Sequence, residues 1–278
     1  MAIKLYNPTT PARRGMTSAD TSTITKKRPQ KSLLVVKKAG TGRNNQGRIT
    51  VRHRGAGVKN FYRLVDFKAL WPEAKVVAIE YDPNRSARIA LVQAEGGQKA
   101  YVLAGANMKV GDKLSTGEKA PIRAGNRLPL KAMPVGSSIY NIELTLGRGG
   151  QLVRSAGARA QLVAKEGEFC QVKLPSGEVR LINQNCSATL GNVGNESHQN
   201  IKYGSAGRRR RLGWRPAVRG KAMNPVDHPH GGGEGAHDIG LRRGPTTPWG
   251  KPALGYKTRR RKLTNAMIVR GRKEGRRR

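Results

Sequence analysis

Two histidines and a carboxylate lie close together in a segment that is rich in glycine and proline. Asp227, His228 and His230 stand near the end of GWRPAVRGKAMNPVDHPHGGGEG, which spans residues 213–235. A histidine beside a carboxylate could act as a general base or ligate a metal. A zinc site needs further Cys or His ligands, and only the more distant His237 follows, so we predict no metal site. General-base catalysis needs a pocket, and a segment with so few apolar side chains predicts none.

The same segment is rich in residue types that suit contact with nucleic acid. Histidine rings can stack on bases or bind phosphates, and tryptophan rings can stack on unpaired bases. Trp214 and Trp249 could stack in this way, although either could instead cover the end of a barrel. The candidate RNA-contacting residues of the segment are Trp214, Arg215, Arg219, Lys221, Asn224, His228 and His230.

The charge of the chain indicates a polyanionic partner. Its 278 residues include 54 Lys and Arg against 17 Asp and Glu, a formal net charge of +37. Residues 1–60 carry 14 basic and one acidic side chain, and residues 201–278 carry 22 and four, whereas residues 61–200 carry 18 and 12. Such basic ends would repel themselves in water, and their neutralisation on phosphates would release counterions. We therefore predict a nucleic-acid partner that orders both ends.

A membrane is the rival anionic surface, and the sequence argues against it. No apolar run approaches the length of a spanning helix, and the basic ends lack the apolar face of an interfacial helix. No apolar signal core is visible near the N-terminus, so we expect a cytoplasmic protein. Cys170 and Cys186 do not form a CxxC pair. Their spacing predicts small buried residues rather than a zinc site or a disulfide.

Short β-rich runs separated by turns fill the middle of the chain. They are Tyr62–Phe67, Lys75–Tyr81, Ala87–Ala94, Lys99–Leu103, Ser138–Leu146, Ala160–Ala164, Phe169–Leu174 and Glu178–Ile182. Glycine-bearing turns at 95–98, 166–168 and 175–178 predict hairpins. Strands at this spacing predict small antiparallel barrels, and the length of the middle suits two of them. A short helix at Cys186–Gly191 is a further, minor expectation.

The predicted fold class is mostly β, with two small barrels and long, basic, irregular extensions. We expect an N-terminal extension over residues 1–60, a first barrel over 61–125 and a second barrel over 126–200. Residues 201–278 form a basic C-terminal extension that is rich in glycine and proline. The seam between the barrels is expected at Ala120–Gly136, where prolines and glycines would break any regular element.

Arginines recur in motifs that could bring them to phosphates. Gly42–Lys59, GRNNQGRITVRHRGAGVK, alternates cations with glycines that let the backbone approach a phosphate closely. In YDPNRSARIALV, arginines follow a turn, although a salt bridge of Arg85 to Glu80 or Asp82 is the alternative. In QLVRSAG, an arginine follows a glycine pair. The candidate RNA-contacting residues of these motifs are Arg43, Arg48, Arg52, Arg54, Lys59, Arg85, Arg88 and Arg154.

These motifs closely resemble the family of bacterial-type large-subunit ribosomal protein two. The landmarks of that family are similar to AMNPVDHPHGGGEG (222–235), GRNNQGRIT (42–50), YDPNRSA (81–87), GQLVRSAG (150–157) and TPWGKP (247–252). They occur in order, so the resemblance covers nearly the whole chain. The chain departs from the family pattern at Ala56 and Val58, where GGGHK is common, and at Ala236, where an arginine is common.

The resemblance implies an oligonucleotide-binding-fold barrel followed by an SH3-like barrel, which agrees with the two barrels predicted from the strands. It also implies binding to large-subunit rRNA, early assembly of the subunit, joining of the two subunits, and a C-terminal extension that runs toward the peptidyl-transferase region. Arg85 and Arg154 would inherit RNA contacts. His228, with Asp227, would inherit a position once suspected of assisting peptide-bond formation, which we interpret as structural support for catalytic RNA.

The implied partners are large-subunit rRNA, neighbouring ribosomal proteins and the small subunit. We predict no catalytic residue, no cofactor, no membrane partner and no homo-oligomer, with any structural Mg²⁺ held by the RNA. Two other classes of function stay open. A chromatin-like or single-strand-binding protein would account for the charge but not for the segment rich in glycine and proline. A transferase that uses His228 would need a pocket around that residue.

Overall fold

Short strands in several small sheets make up most of the regular structure. The computed structural model describes residues 3–38, 40–234, 238–239, 241–242, 244–256, 258, 260 and 262–271. Ala236, His237 and the residues after Gly271 lie outside the described residues. The predictions about the missing arginine at 236, the third histidine and the order of the C-terminus therefore concern residues that are not described.

The N-terminal extension contains regular elements of its own. They are β1 (Ile3–Leu5), the short helix α1 (Pro11–Arg14), β2 (Thr17–Ala19), a 3-10 turn at Lys31–Leu33 and β3 (Leu34–Val36). Strands β1 and β2 pair with each other, and β3 pairs with β4 (Phe61–Arg63). The predicted run Tyr62–Phe67 is therefore strand only in its first residues, and it pairs with the extension.

The first barrel is built on a four-stranded antiparallel sheet. Its strands are β5 (Glu73–Glu80), β6 (Ile89–Ala94), β7 (Lys99–Leu103) and β8 (Lys113–Ser115), in the order β7-β6-β5-β8. The hairpin between β6 and β7 confirms the turn predicted at 95–98. Alternate side chains of β5 are buried, and Val76, Val92, Val102 and Leu114 pack in one core cluster. Burial of each such side chain contributes about 1.5–3 kcal/mol.

The second barrel is built on a sheet of seven strands. The remaining strands of the chain are β9 (Arg127–Pro129), β10 (Ser138–Tyr140), β11 (Ile142–Glu143), β12 (Gly150–Leu152), β13 (Ala160–Glu166), β14 (Phe169–Lys173), β15 (Val179–Asn183), β16 (Ser187–Leu190) and β17 (Ile268–Arg270). The order in the sheet is β17-β15-β14-β13-β10-β16-β9, and β11 and β12 pair with each other in a separate sheet. Hairpins join β13 to β14 and β14 to β15, as predicted. Strand β17 of the C-terminal extension adds itself to the edge of β15.

Three local predictions were wrong. The run Ser138–Leu146 is broken at Asn141, whose φ of +50° turns the chain, so that β10 and β11 join different sheets. The helix expected at Cys186–Gly191 is strand β16, because Ala188 and Leu190 complete the core of the barrel. The seam Ala120–Gly136 is not free of regular structure, since it contains β9 and a 3-10 turn at Leu130–Ala132.

The two cysteines belong to the core of the second barrel. Cys170 and Cys186 are both free thiols and both buried, which confirms the prediction of small buried residues. Burial raises the pKa of the Cys186 thiol to about 11. A protonated thiol in an apolar core acts as a small hydrophobic side chain.

The two barrels meet along a shared apolar cluster and a set of backbone hydrogen bonds. Leu103 of β7, Tyr140 of β10 and the loop residue Val193 pack together. The amide of Gly194 donates to the carbonyl of Ala104 at 3.0 Å. These contacts fix the end of β7 relative to the second barrel. The turn that follows β5 is held as well, because the Asn195 side-chain amide donates to the carbonyl of Ser86 at 2.7 Å.

The remaining helical elements lie in the C-terminal half of the chain. They are the 3-10 turns Glu196–Asn200, Gly220–Ala222 and Leu263–Asn265 and the helix α2 (Ala206–Arg211). The side chain of Ser205 accepts a hydrogen bond from the amide of Arg208 and so caps the start of α2. Helix α2 carries four consecutive arginines.

Candidate nucleic-acid interface

The two basic extensions, far apart in sequence, pack directly against each other. The amide of Gly55 donates to the carbonyl of Gly213 at 2.8 Å, and the amide of Val58 donates to the carbonyl of Arg211 at 2.9 Å. These bonds run between the loop Gly42–Lys59 and the end of α2. The loop therefore rests on the C-terminal extension.

A glycine makes this close approach possible. Gly57 has a φ of +66°, and a Cβ there would lie 2.7 Å from the carbonyl oxygen of Arg211 and 2.8 Å from the amide nitrogen of Gly213. A side chain at residue 57 would thus push the two extensions apart. The backbone approach inferred from the glycines of this loop is made to the protein's own C-terminal extension.

An open groove of about 770 Å³ lies between the two extensions; we call it the basic groove. None of the described residues that line the basic groove is acidic. Its basic lining residues are Lys37, Lys38, Arg43, Arg54, Lys59 and Arg211. A concave surface lined by cations focuses positive potential and suits a phosphate backbone.

The first barrel contributes one wall of the basic groove. Pro83 and Asn84, from the turn after β5, line it, and the ammonium of Lys37 donates to the Asn84 side-chain oxygen at 2.8 Å. The Asn84 amide in turn donates to the carbonyl of Phe61 at 2.8 Å. These bonds tie the N-terminal extension to the barrel and position Lys37 at the rim.

The extension is also held to the first barrel deeper in the structure. The Tyr101 hydroxyl donates to the carboxylate of Glu80 at 2.7 Å and accepts from the amide of Gln30 at 2.8 Å. Burial raises the pKa of the Tyr101 hydroxyl, so it keeps the proton that it donates. This buried network fixes the middle of the extension, at Gln30, several residues before the basic groove.

The predicted site residues of the loop Gly42–Lys59 fall on connected surfaces. Arg43, Arg54 and Lys59 line the basic groove. Arg52 lines a second cavity of about 610 Å³, which Arg43, Arg54 and the predicted Arg215 also line. Arg48 is exposed on the hairpin at the tip of the loop.

Two tryptophans of the C-terminal extension are paired with arginines of the N-terminal loop. The Arg54 guanidinium lies 3.8 Å from the centroid of the Trp214 ring, and that of Arg52 lies 5.0 Å from the Trp249 ring. Trp214 is 37% exposed. Cation–π contacts of this kind hold the two extensions together. A second arginine, Arg209, lies 5.8 Å from the centroid of the Trp214 ring.

The second candidate surface lies where the two barrels meet. Arg85 lies 5.6 Å and Arg154 lies 4.5 Å from the centroid of the Phe67 ring, so the two arginines share one aromatic side chain. Arg85 also forms the salt bridge that was the alternative to an RNA contact, because its Nε lies 2.6 Å from Oδ2 of the buried Asp82. Arg154 is exposed, and its guanidinium donates to the carbonyl of Gly150 at 3.1 Å.

Arg88 occupies a different environment from the other candidates. Its side chain is buried, with the residue 5% exposed, and its guanidinium donates to the carbonyl of Asp20. Burial lowers the pKa of this guanidinium. This position weighs against an RNA contact and favours a role in holding the N-terminal extension to β6.

Arg154 and Arg85 should respond differently to truncation. We expect Arg154→Ala to weaken binding to large-subunit rRNA by about ten- to a hundredfold, because a charge-assisted contact is worth about 1.5–3 kcal/mol. Arg85→Ala should lower the free energy of unfolding by about 2 kcal/mol, since the buried Asp82 loses its nearest cation and Arg63 lies farther away, at 3.6 Å. Thermal melts and RNA titrations of both variants check this. A destabilised Arg154→Ala variant with unchanged RNA affinity would contradict it.

The segment that begins at Gly220 folds into a compact loop around two buried histidines. His228 and His230 are each 8% exposed, and their ring centroids lie 4.7 Å apart. The amide of His230 donates to Nδ1 of His228 at 3.0 Å, and the amide of Thr246 donates to Nε2 of His230 at 2.9 Å. One nitrogen of each ring is therefore bonded within the chain, and the burial of both rings weighs against stacking on bases. Arg219 and Asn224 are exposed, and Lys221 is half-buried.

The hydrogen bond to His228 also limits its chemistry. Because Nδ1 accepts a hydrogen bond, the neutral ring carries its proton on Nε2. Neither nitrogen then offers a free lone pair for a general base. Gly220 packs against the imidazole so closely that a Cβ there would lie 2.5 Å from the ring.

Lys37, Lys38 and Arg209–Arg211 were missed in the sequence analysis. Arg209–Arg211 could have been found from the run of four arginines at 208–211, which follows a serine suited to cap a helix. Lys37 and Lys38 carry no distinguishing signal in the sequence, because an adjacent lysine pair is common on protein surfaces. Only the packing of the two extensions brings these side chains together.

In the part of the chain that the structure describes, no helix is long and apolar enough to cross a bilayer. No group of three or more His, Cys, Asp or Glu side chains in that part is arranged to hold a metal ion. His237 lies outside the described residues.

Two small β-barrels with a basic groove between their extensions define an RNA-binding protein. Residues 30–116 match the family model described as Ribosomal Proteins L2, RNA binding N-terminal domain. Residues 123–250 match the model described as Ribosomal Proteins L2, C-terminal domain. The two matches cover most of the chain, so it belongs to the ribosomal protein L2 family. The chain is a ribosomal, RNA-binding protein of the large subunit that acts in translation, and the resemblance seen in the sequence is confirmed.

Proposed function

We propose that the chain binds large-subunit rRNA through the basic groove and thereby supports assembly of the subunit and its association with the small subunit. The observation that carries this proposal is the pairing of the loop Gly42–Lys59 with residues 211–213. The groove exists only where both extensions meet, so an RNA strand bound there would neutralise both at once. The gain from releasing condensed counterions would then stabilise the contact between the extensions.

The compact loop from Gly220 onward supports a structural role near the peptidyl-transferase region. Its two histidines hold backbone amides of the chain, and Arg219, which precedes the loop, and Asn224 are exposed and could contact RNA. We propose that the loop packs against RNA as a preformed structural element. A transferase that uses His228 is less well supported, because the hydrogen bond to Nδ1 removes the free base.

The remaining partners follow from membership of the family and are proposals here. We infer contacts with neighbouring ribosomal proteins and with the small subunit across the subunit interface, and a cytoplasmic ribosome as the location. We also propose that the chain acts as a single copy. Any structural Mg²⁺ would be bound by RNA phosphates, which suit its oxygen-rich coordination.

Retention on ribosomal particles tests the proposed function. We expect the chain to sediment with large subunits and to remain there through moderate salt, because shape-specific contacts persist when non-specific phosphate contacts weaken. A sequence-indifferent DNA- or single-strand-binding protein would leave the particles and co-purify with DNA. That second result would contradict the proposal.

A further inference from the structure

A third cleft of about 600 Å³ lies next to the basic groove, and two of the candidate residues, Trp214 and Arg215, line it. Its walls are mainly apolar: the rings of Tyr203, Trp214 and Pro216 and the methyl groups of Ala206 and Ala217. Its rim carries the cations Arg209, Arg210 and Arg215. An apolar interior with a cationic rim is typical of surfaces that bind unpaired nucleotides.

The two aromatic rings that line the cleft also have arginines close to them. The Arg54 guanidinium lies over Trp214, and that of Arg208 lies 5.6 Å from the centroid of the Tyr203 ring. Neither Arg54 nor Arg208 lines the cleft. Arg209 does line the cleft, and its guanidinium lies 5.8 Å from the centroid of the Trp214 ring. Of the three arginines near the two rings, Arg209 is therefore the one that the cleft and Trp214 share.

The cleft is held in shape by contacts on both sides. At Tyr203, the preceding Lys202 exchanges two hydrogen bonds with Thr17, of 2.9 and 2.7 Å. At the opposite wall, the amide of Arg215 donates to the carbonyl of His53 at 3.1 Å. Walls fixed before binding reduce the ordering cost of a ligand.

We propose that this cleft receives one unpaired nucleobase of the bound RNA, which stacks on Tyr203 and Trp214 while the flanking phosphates contact Arg209, Arg210 and Arg215. A nucleobase has the flat apolar faces that suit such walls, and its phosphates match the charge of the rim. The cleft volume lies within the range that accommodates a small ligand. This inference rests on the RNA-binding function proposed above and names one structural feature of that RNA.

Two RNA duplexes test the inference on the full-length chain. One is fully paired. The other has the same paired sequence with one unpaired nucleotide inserted in one strand, and the base of that nucleotide is the fluorescent adenine analogue 2-aminopurine. At raised salt, where non-specific binding is weak, we expect the bulged duplex to bind about tenfold more tightly, as one base–aromatic stack provides. The 2-aminopurine fluorescence should be quenched on binding.

Variants of the cleft give the matched controls. Tyr203→Ala should abolish the preference for the bulge and leave affinity for the paired duplex unchanged, and Tyr203→Phe should keep the preference. Ala217→Trp should fill the cleft and also abolish the preference, whereas Val218→Trp, at an exposed neighbour outside the cleft, should not.

Equal binding of the two duplexes without quenching would overturn the inference and leave the proposed function intact. A preference that survives Ala217→Trp would overturn it as well, even if Tyr203→Ala proved unstable. Failure to bind either duplex would instead contradict the proposed RNA-binding function itself.

Discussion

Replacing Gly57 with valine should lower the affinity of the chain for large-subunit rRNA by at least about tenfold. A side chain at residue 57 would collide with the backbone of Arg211 and Gly213, 2.7 and 2.8 Å from its Cβ. The two extensions would separate, and the basic groove would lose one wall. Loss of even one charge-assisted phosphate contact costs about 1.5–3 kcal/mol, and the groove offers several.

Gly47→Val is the matched control for this prediction. Gly47 lies in the same loop with a φ of +78°, but a Cβ there would meet no atom within 4 Å. Both substitutions strain a left-handed residue to a similar extent, and only the one at Gly57 disrupts packing. Titration of rRNA with both variants gives the comparison. Equal affinities would show that the contact between the extensions does not contribute to RNA binding.

Substitution of His228 should impair assembly far more than catalysis. We expect His228→Ala to reduce the yield of large subunits or their association with small subunits, because the Nδ1 acceptor for the His230 amide is lost. Particles that do assemble should form peptide bonds within about tenfold of the normal rate. A general acid–base residue would instead cost about 10²–10⁴-fold and alter the pH profile.

Gly220→Ala separates packing from chemistry at the same position. It leaves the imidazole in place but sets a Cβ 2.5 Å from the ring, so the loop must rearrange. A structural role predicts that Gly220→Ala reproduces the assembly defect of His228→Ala. A hundredfold loss of rate with an altered pH profile in assembled His228→Ala particles, without such a defect in Gly220→Ala, would support catalysis.

Local sequence patterns predicted the strands of both barrels well where alternation and turns agreed. Lys99–Leu103 matches its strand at both ends, because a glycine turn and buried neighbours fix the register. Ser138–Leu146 did not, since the break depends on Asn141 adopting a positive φ, which its sequence neighbours do not require. Strand β16 was mistaken for a helix because its partners, β9 and β10, lie far away in sequence.

The candidate site was predictable in composition but not in arrangement. Charge and glycine content indicated that the loop Gly42–Lys59 binds RNA, and the family match supports that class of function. The sequence could not show that this loop packs on residues 211–213, because such a pairing is a tertiary contact between distant segments. It also left the pairing of Arg85 open, and the geometry supplies the buried partner Asp82.

The contact between the extensions is tested most directly by photo-crosslinking in intact large subunits. Val58 belongs to the N-terminal extension and Leu212 to the C-terminal extension; both line the basic groove, and they are 54% and 49% exposed. A photoreactive amino acid is placed at each position in turn, and the crosslinked nucleotides are mapped. If both extensions build one RNA-binding groove, the two positions should crosslink to the same short stretch of large-subunit rRNA. Crosslinks to unrelated stretches, or to protein alone from either position, would contradict the account.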